Sequence, residues 1–222
     1  MADFTHYFPV LLANEGGYCH DPQDPGGETY RGIARVANPH WAGWPVVDAV
    51  KTRTGAATPV PRAAWLALSR TMEGEPGLHA LVQSFYKVAY WNPLGLDAVH
   101  CQCLAEQLAD HGVNAGPIRP AKMLQYLLST EFGAQALVVD GKIGPRTIAL
   151  LNATDAQAFY ARFVAMRQAF YRYRAGSFGA ADTQALAPWH QFFQQELRLN
   201  TDSRMQKFLP SWLRRTQAAY SA

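Results

Sequence analysis

The chain has 222 residues, a formal net charge of +3 and a hydrophobic fraction of 49%, enough for one large domain or two closely packed small ones. A charge this small does not favour a nucleic-acid-binding protein; it suits an anionic polymer but also arises with no partner at all. No apolar run of about 18 residues occurs, and no basic segment followed by an apolar one opens the chain, so neither a membrane span nor an export signal is predicted.

The first predicted helix runs from Asp3 to Ala13 and ends in a glycine-rich turn. Asp3 is a natural N-cap, and the pair Gly16-Gly17 is a natural stop signal. Its apolar positions recur at helical spacing: Phe4, Tyr7, Phe8, Leu11 and Leu12. Glu15 therefore lies where the helix ends, beside glycines that let a large ligand approach its carboxyl group.

The segment from Asp21 to Thr29 is too rich in Gly, Pro and Asp for a helix and predicts turns within a small β-hairpin. Such a hairpin brings Asp24 and Thr29 back beside Glu15. Two carboxyl groups and a hydroxyl around a glycine-lined cleft are typical of a glycosidase. The alternative is structural, because Glu at helix ends and Asp in turns commonly only cap backbone groups.

The rest of the chain predicts mostly helices. The Leu78–Trp91 stretch is amphipathic, with Val88 on its apolar face, and Asp155 is the expected N-cap of a long helix ending near Arg174. A polar link is predicted over residues 176–183. The other predicted helices cover residues 46–51, 61–70, 102–113, 120–130, a segment starting at Pro145, 186–199 and 209–220. The fold class predicted is mainly α, with one small β element.

The cysteines do not predict a metal site or a disulfide framework. Cys19, Cys101 and Cys103 are odd in number, and the last two are too close in sequence for a comfortable bridge in a helix. Because Cys-x-Cys is not a zinc spacing, free thiols are expected. Neither a metal nor another cofactor is expected.

Several motifs resemble a known family. Glu15-Gly16-Gly17-Tyr18, the run 24–29 and Gly32-Ile33, in this order, resemble the catalytic block of glycoside hydrolase family 108, the bacterial and phage N-acetylmuramidases. The spacing of Glu15, Asp24 and Thr29 is also similar to that of phage-type lysozymes, although it is one residue tighter between Asp24 and Thr29. The resemblance covers roughly residues 4–175 and includes Phe85-Tyr86, the run 90–94, Asp110 with the run 113–116, the run 139–147, and Trp212-Leu213-x-Arg215.

The resemblance implies a lysozyme-like helical fold with a small β-hairpin at the catalytic turn. It implies a catalytic region over residues 1–116 and a helical region over residues 117–222 that resembles a peptidoglycan-binding module. We expect the two to pack into one unit. The implied reaction is cleavage of the β-1,4 bond between N-acetylmuramic acid and N-acetylglucosamine.

The three catalytic residues expected are Glu15, Asp24 and Thr29. Leu11 and Leu12 give Glu15 the apolar setting that keeps a general acid protonated, as in lysozyme. Asp24 would stay ionised and hold a water with Thr29, which favours inversion at a carboxyl separation of roughly 6.5–9.5 Å. Whether Asp24 is a base or a nucleophile stays open at this stage.

Two other carboxylates compete for these roles. Asp21 is expected to start an Asp-Pro turn, and Glu28 to bind backbone or Arg31.

Two positions depart from the family pattern. Arg31 stands where family members often have an aromatic residue, and Ala34 stands where they often have Ser or Thr.

The candidate substrate-binding residues are Tyr18, Glu28, Tyr30, Asn114 and Asp110. Aromatic residues near a turn are more often part of the core or its rim than of a sugar site. Asn114 and Asp110, close to the end of a predicted helix, are about as well explained by hydrogen bonds to that helix end.

Two other functions stay open: a lytic transglycosylase, and a catalytically inactive wall-binding or secretion-accessory protein. The partner expected is the glycan strand of peptidoglycan, bound by a monomer that does not bind nucleic acid. Synthesis in the cytoplasm and action in the periplasm or cell wall are expected, by release through a holin or by a secretion system. A secreted effector would have a cognate immunity protein.

Overall fold

The computed structural model describes residues 1–22 and 26–220 and is mainly helical. The chain folds as two compact units, one of residues 4–89 and the other of residues 1–3 and 90–222. The domain boundary predicted at residue 116 lies inside the second unit. The mainly α fold with one small β element is confirmed.

The first unit contains four α-helices: α1 (Phe4–Asn14), α2 (Trp44–Arg53), α3 (Trp65–Glu73, after a 3-10 turn at Arg62–Ala64) and α4 (Leu78–Tyr86). The predicted apolar stripe of α1 is buried at Phe4, Tyr7, Phe8 and Leu11. The helix ends at Asn14, one residue beyond the predicted end at Ala13 and immediately before Glu15 and the glycine pair.

A three-stranded antiparallel sheet follows α1: β1 (Tyr18–His20), β2 (Glu28–Tyr30) and β3 (Ile33–Ala34). The expected hairpin pairs Cys19 with Thr29, and β3 adds the pair Thr29 with Ala34. Since side chains alternate along a strand, Thr29 lies on the face opposite to the buried Tyr30. The sheet thus has a core face and a second, less buried face that carries Thr29.

The predicted helix from Leu78 to Trp91 changes its winding in the middle. The α-helix stops at Tyr86, and Lys87–Trp91 forms a π-helix. The wider turn of a π-helix rotates the following side chains out of the apolar stripe. Val88 is 63% exposed, so its predicted inward position was wrong.

The second unit contains the other α-helices of the described residues: α5 (Gln102–Ala115), α6 (Ile118–Thr130), α7 (Pro145–Ala153), α8 (Ala156–Arg174), α9 (Ala180–Leu186), α10 (His190–Gln195) and α11 (Leu209–Arg214). Helices α5, α6 and α8 pack against one another. The predicted N-cap of α8 is confirmed, because the Asp155 carboxylate accepts a hydrogen bond of 2.9 Å from the Ala158 amide.

The chain after α8 differs from the sequence-based expectation. The segment predicted as a link contains the start of α9, and the helix predicted over residues 186–199 is reduced to α10. Pro188 explains the break, because proline has no amide hydrogen with which to continue the helical hydrogen bonds. The last predicted helix is also shorter: a 3-10 segment at Ser203–Phe208 precedes α11, which ends at Arg214.

The three cysteines are free. The sulfur atoms of Cys101 and Cys103 lie 3.1 Å apart as hydrogen-bonded thiols. Burial and the bond with Cys103 raise the pKa of the Cys101 thiol to about 11, so it stays protonated and unreactive at neutral pH. Within the described residues, none of the helices is both long and apolar enough to span a membrane.

Candidate functional site

Glu15 lies directly after α1, half-buried, with its amide bonded to the Leu11 carbonyl at 3.0 Å. Its carboxyl group packs against Gly32. A Cβ atom on Gly32 would lie 3.2 Å from Glu15 Cδ and would overlap both Glu15 Oε2 and Tyr86 Oη. The carboxylate oxygen and the tyrosine hydroxyl are therefore close neighbours, and only glycine leaves room for both.

The turn that carries Gly32 joins β2 to β3 through two residues, Arg31 and Gly32. Both have positive φ angles, 47° and 75°, as a tight type I′ hairpin turn requires. Arg31 adopts this conformation at a steric cost, since it has a Cβ atom. The turn that faces Glu15 is thus a strained segment.

Three contacts hold Arg31 in that conformation. Tyr86 Oη donates a 2.7 Å hydrogen bond to the Arg31 carbonyl. The Arg31 amide donates to the Gly17 carbonyl at 3.1 Å, and its guanidinium forms a 2.5 Å ion pair with Glu73. The wall of the site beside Glu15 is therefore fixed by Gly17, α3 and α4.

The glycine pair after Glu15 also lets α3 approach the chain closely. The Tyr18 amide donates to Ser69 Oγ at 2.7 Å, and this hydroxyl donates to the Trp65 carbonyl at 2.8 Å. A Cβ on Gly17 would lie 2.8 Å from Ser69 Cβ, which no side chain tolerates. Gly17 is therefore required by packing, whereas Gly16 has open space at the same position.

The Glu28 carboxylate is buried on the core face of β2, with 7% of the residue exposed. It accepts bonds from Tyr18 Oη and Lys51 Nζ, each at 2.7 Å, and pairs with Arg35 Nε at 2.6 Å. Burial alone would raise the pKa of Glu28, but the bonds from Lys51 and Tyr18 and the positive charges nearby lower it. The expected partner Arg31 was wrong, because that side chain binds Glu73.

The rings of Tyr18 and Tyr30 belong to the core of the first unit, and each residue is only 3% exposed. Burial and the bond to Glu28 raise the pKa of Tyr18. Tyr30 stacks on Trp41, with 6.4 Å between ring centroids. The structure supports a packing role for Tyr18, Glu28 and Tyr30, and their predicted contact with substrate stays a prediction.

Thr29 is half-buried on the other face of the sheet, flanked across the strands by Cys19 and Ala34. Its hydroxyl makes a weak bond of 3.4 Å to the Gly27 carbonyl. Asp24, the predicted partner of Thr29, lies outside the described residues. Of the three predicted catalytic residues, the structure thus describes Glu15 and Thr29, both in the first unit.

Asp110 is a buried ion-pair residue of the second unit, 6% exposed on α5. Its carboxylate binds the guanidinium of Arg167, which is fully buried on α8, and pairs with Arg215 at 2.6 Å. Burial alone would raise the pKa of Asp110, but the charges and hydrogen bonds of the two arginines lower it. These contacts support a role in holding α5, α8 and the C-terminal segment together, and the substrate contact of Asp110 stays a prediction.

Asn114 has a different position on the same helix. Its side chain is exposed and donates a 2.9 Å bond to the Asp110 carbonyl. It also lines a cavity of about 240 Å³ together with Tyr171 and Trp212. The hydrogen bond gives Asn114 a structural role at the helix end, and its position in the cavity wall leaves it accessible to a ligand. A substrate contact by Asn114 therefore stays a prediction.

The Asp-Gly loop at residues 140–147 is held by hydrogen bonds to Gln125 of α6 and by one bond within the loop. Asp140 Oδ1 accepts bonds from Gln125 Nε2 at 2.9 Å and the Lys142 amide at 2.8 Å. The Gly141 amide donates to Gln125 Oε1 at 2.7 Å. These bonds give Asp140 and Gly141 a structural role at the start of the loop.

Sequence reasoning missed the residues that support these sites. Lys51 and Arg35 give no motif, and their pairing with Glu28 depends on tertiary packing. Arg167 could have been noticed in the sequence, because this charged residue is next to Met166, a member of the apolar stripe of α8. Tyr86 stood in a motif of the family resemblance without an assigned role.

Two family models agree with the motif-based resemblance. The model of the family described as Glycosyl hydrolase 108 matches residues 8–116, and that of a Predicted Peptidoglycan domain matches residues 119–217. The solved structure of SagA from Brucella abortus is similar over 97% of each chain, with 22% sequence identity and a TM-score of 0.48. No match was found among curated protein sequences.

Proposed function

Because the chain belongs to the Glycosyl hydrolase 108 family over residues 8–116 and carries a peptidoglycan domain over residues 119–217, we propose that it is an N-acetylmuramidase. The chain is a glycoside hydrolase that acts on peptidoglycan. The proposal adds the bond cleaved, the β-1,4 link between N-acetylmuramic acid and N-acetylglucosamine, and inversion at the anomeric carbon.

The position of Glu15 is the observation that carries this proposal. Glu15 is half-buried directly after α1, its carboxyl group packs against Gly32, and the neighbouring Gly16 has open space at its Cβ position. Partial burial favours the protonated form of a carboxyl group, which a general acid needs at neutral pH. In the proposed reaction Glu15 donates its proton to the glycosidic oxygen as the bond to the leaving sugar breaks.

Thr29 and Asp24 would activate the attacking water. Asp24 would remove a proton from that water while the Thr29 hydroxyl orients it, and water would attack the face of the sugar opposite Glu15. The position of Thr29 on the less buried face of the sheet is consistent with contact to a water. The initial product would be the α-anomer of a reducing N-acetylmuramic acid.

Replacement of the proposed acid tests the reaction directly. Glu15→Gln is nearly isosteric but cannot donate the proton, so we expect release of reducing ends from purified peptidoglycan to fall by about 10²–10⁴-fold. The matched control is Asp21→Asn, which neutralises an exposed carboxylate of the neighbouring turn and should retain activity. Normal turnover by the Glu15→Gln protein would remove Glu15 from the acid role.

Product analysis separates the proposal from its alternatives. Mass spectrometry should show hydrolysed reducing ends, and NMR during the reaction should show the α-anomer first. Ends with a 1,6-anhydro ring would identify a lytic transglycosylase, and a β-anomer would make Asp24 a nucleophile. No cleavage by the native chain, with retained binding, would identify an inactive wall-binding protein.

Delivery and assembly form the last part of the proposal. We propose that the monomer acts in the periplasm or cell wall, where its substrate is, after release through a holin or transport by a secretion system. Light scattering would measure the oligomeric state. Neighbouring genes would distinguish the routes, because an effector needs an immunity protein encoded beside it, and that protein should bind and inhibit the purified chain.

A further inference from the structure

The second unit contains a cavity of about 510 Å³ at the start of α6. One wall is formed by α6 and the turn before it, including Arg119 and Lys122. The other is the segment after α10, including Glu196 and Arg198. Three cationic side chains thus line the cavity with one carboxylate, an excess of positive charge within one small space.

The three cations are available to a ligand. Arg119 and Arg198 are exposed residues, and Lys122 is half-buried. Lys122 Nζ makes only a 3.3 Å bond to the Glu196 carbonyl, and Arg119 bonds to the Ala115 carbonyl. Among the described residues, no carboxylate forms an ion pair with any of the three. Their charge is therefore not neutralised within the second unit.

Arg198 has an unusual backbone conformation. Its φ angle is 48°, and the only other described non-glycine residue with a positive φ is Arg31, beside Glu15. This conformation is unfavourable for a residue with a Cβ atom, and such residues concentrate at functional sites. Here it occurs at an exposed arginine that lines the cavity.

A second, smaller cavity adjoins the first, since Ala115 and Arg119 line both. Its other walls include Arg174 and the half-buried Trp212. The Trp212 ring stacks on Tyr171, with centroids 5.4 Å apart. An aromatic surface beside cations suits a ligand that has apolar faces as well as negative charge.

We propose that the larger cavity binds free carboxylates of the peptide stems of peptidoglycan. This rests on the proposed function only in that the chain acts on peptidoglycan. The sugars of an intact strand carry no charge, because the muramic acid carboxyl group is amide-linked to its stem. The anions of the polymer are the carboxylates of the stems, and arginine and lysine bind them by charge-assisted hydrogen bonds. The second, smaller cavity, which contains Trp212 and Tyr171, would hold the adjacent sugar.

Sedimentation with insoluble wall material tests the site in the full chain, with Glu15→Gln as background to slow cleavage. The cavity variant is Lys122→Gln with Arg198→Asn, because asparagine tolerates the left-handed conformation. The matched control, Arg70→Gln with Arg214→Gln, removes the same charge from exposed residues that line neither cavity. We expect the cavity variant to bind intact sacculi about tenfold more weakly and the control to bind normally.

Chemical treatment of the sacculi identifies the anion. Hydrofluoric acid removes phosphodiester-linked polymers, and binding should survive it. Amidation of the stem carboxylates with a carbodiimide and an amine should reduce binding of the parent protein to the level of the cavity variant. Equal binding by the cavity variant and the control would overturn the proposal. Loss of binding after hydrofluoric acid but not after amidation would also overturn it, since the ligand would then be a phosphate polymer.

Two further measurements keep the result interpretable. The melting temperature checks the fold of the cavity variant, and if that variant is unfolded, Lys122→Gln alone must show weaker binding or the proposal fails. Release of reducing ends by the chain with intact Glu15 is measured separately. If the chain cleaves normally and the cavity variant binds as well as the control, only the carboxylate site is refuted. If binding depends on the stems but no cleavage occurs, only the muramidase proposal is refuted.

Discussion

Removal of the Asp110 carboxylate should strongly destabilise the protein. Arg167 is fully buried, and its other hydrogen-bond partners are neutral: Gln107 at 2.5 Å and Tyr171 at 3.0 Å. Asp110→Ala leaves a buried guanidinium without its counter-charge, which costs about 3–5 kcal/mol. For a chain of this size that corresponds to a fall in melting temperature of roughly 6–20 °C. Thermal unfolding followed by circular dichroism measures it.

Two companion variants separate the buried charge from loss of packing. Arg215→Gln removes the more exposed partner, whose side chain is 14% exposed, and leaves the Asp110–Arg167 pair; we expect a smaller loss, about 1.5–3 kcal/mol. Arg167→Met in the Asp110→Ala background removes the unpaired charge and should recover most of the lost stability. A full-sized loss that Arg167→Met does not relieve would refute the buried-charge explanation.

The same contact predicts a pH dependence. The pKa of Asp110 is lowered in the folded state by the two arginines, despite the opposing effect of burial. A carboxyl group with a lowered folded-state pKa contributes stability above its unfolded pKa of about 3.9, and this contribution is lost as the pH falls through the folded value. The difference in melting temperature between the native chain and the Asp110→Ala variant should therefore shrink below about pH 4. A constant difference down to about pH 2 would contradict this.

Three further predictions concern the catalytic turn and the domain boundary. Gly32→Ala should reduce activity about 100-fold, because the added methyl group displaces the Glu15 carboxylate; activity near the native level would show that Glu15 is placed otherwise. Tyr86→Phe removes the bond to the Arg31 carbonyl and should lower kcat by about tenfold with little change in KM; a change in KM alone would indicate substrate contact. Residues 1–116 expressed alone should be insoluble or inactive, since α5 would lose α6 and α8, against which it packs; a soluble, cooperatively melting and lytic fragment would refute this.

Local patterns in the sequence determined most of the helices and the site of the proposed acid. Asp155 was recognisable as an N-cap because capping depends on residues within one turn. The end of α1 and the turn after Glu15 followed from the glycine pair, whose conformational preference is also local. The π-helix after Tyr86 was not recognisable, because the apolar residues continue at α-helical spacing as far as Val88 and so predict an uninterrupted α-helix.

The partners of the charged residues were decided only by tertiary structure. Glu28 was expected to bind backbone or Arg31, yet the folded chain pairs it with Arg35 and with Lys51, 23 residues away. Asp110 meets Arg167 at a separation of 57 residues. A buried charge binds whichever opposite charge the packing of helices and strands brings to it, because leaving it unpaired costs several kcal/mol. That condition acts in three dimensions and leaves no local pattern in the sequence.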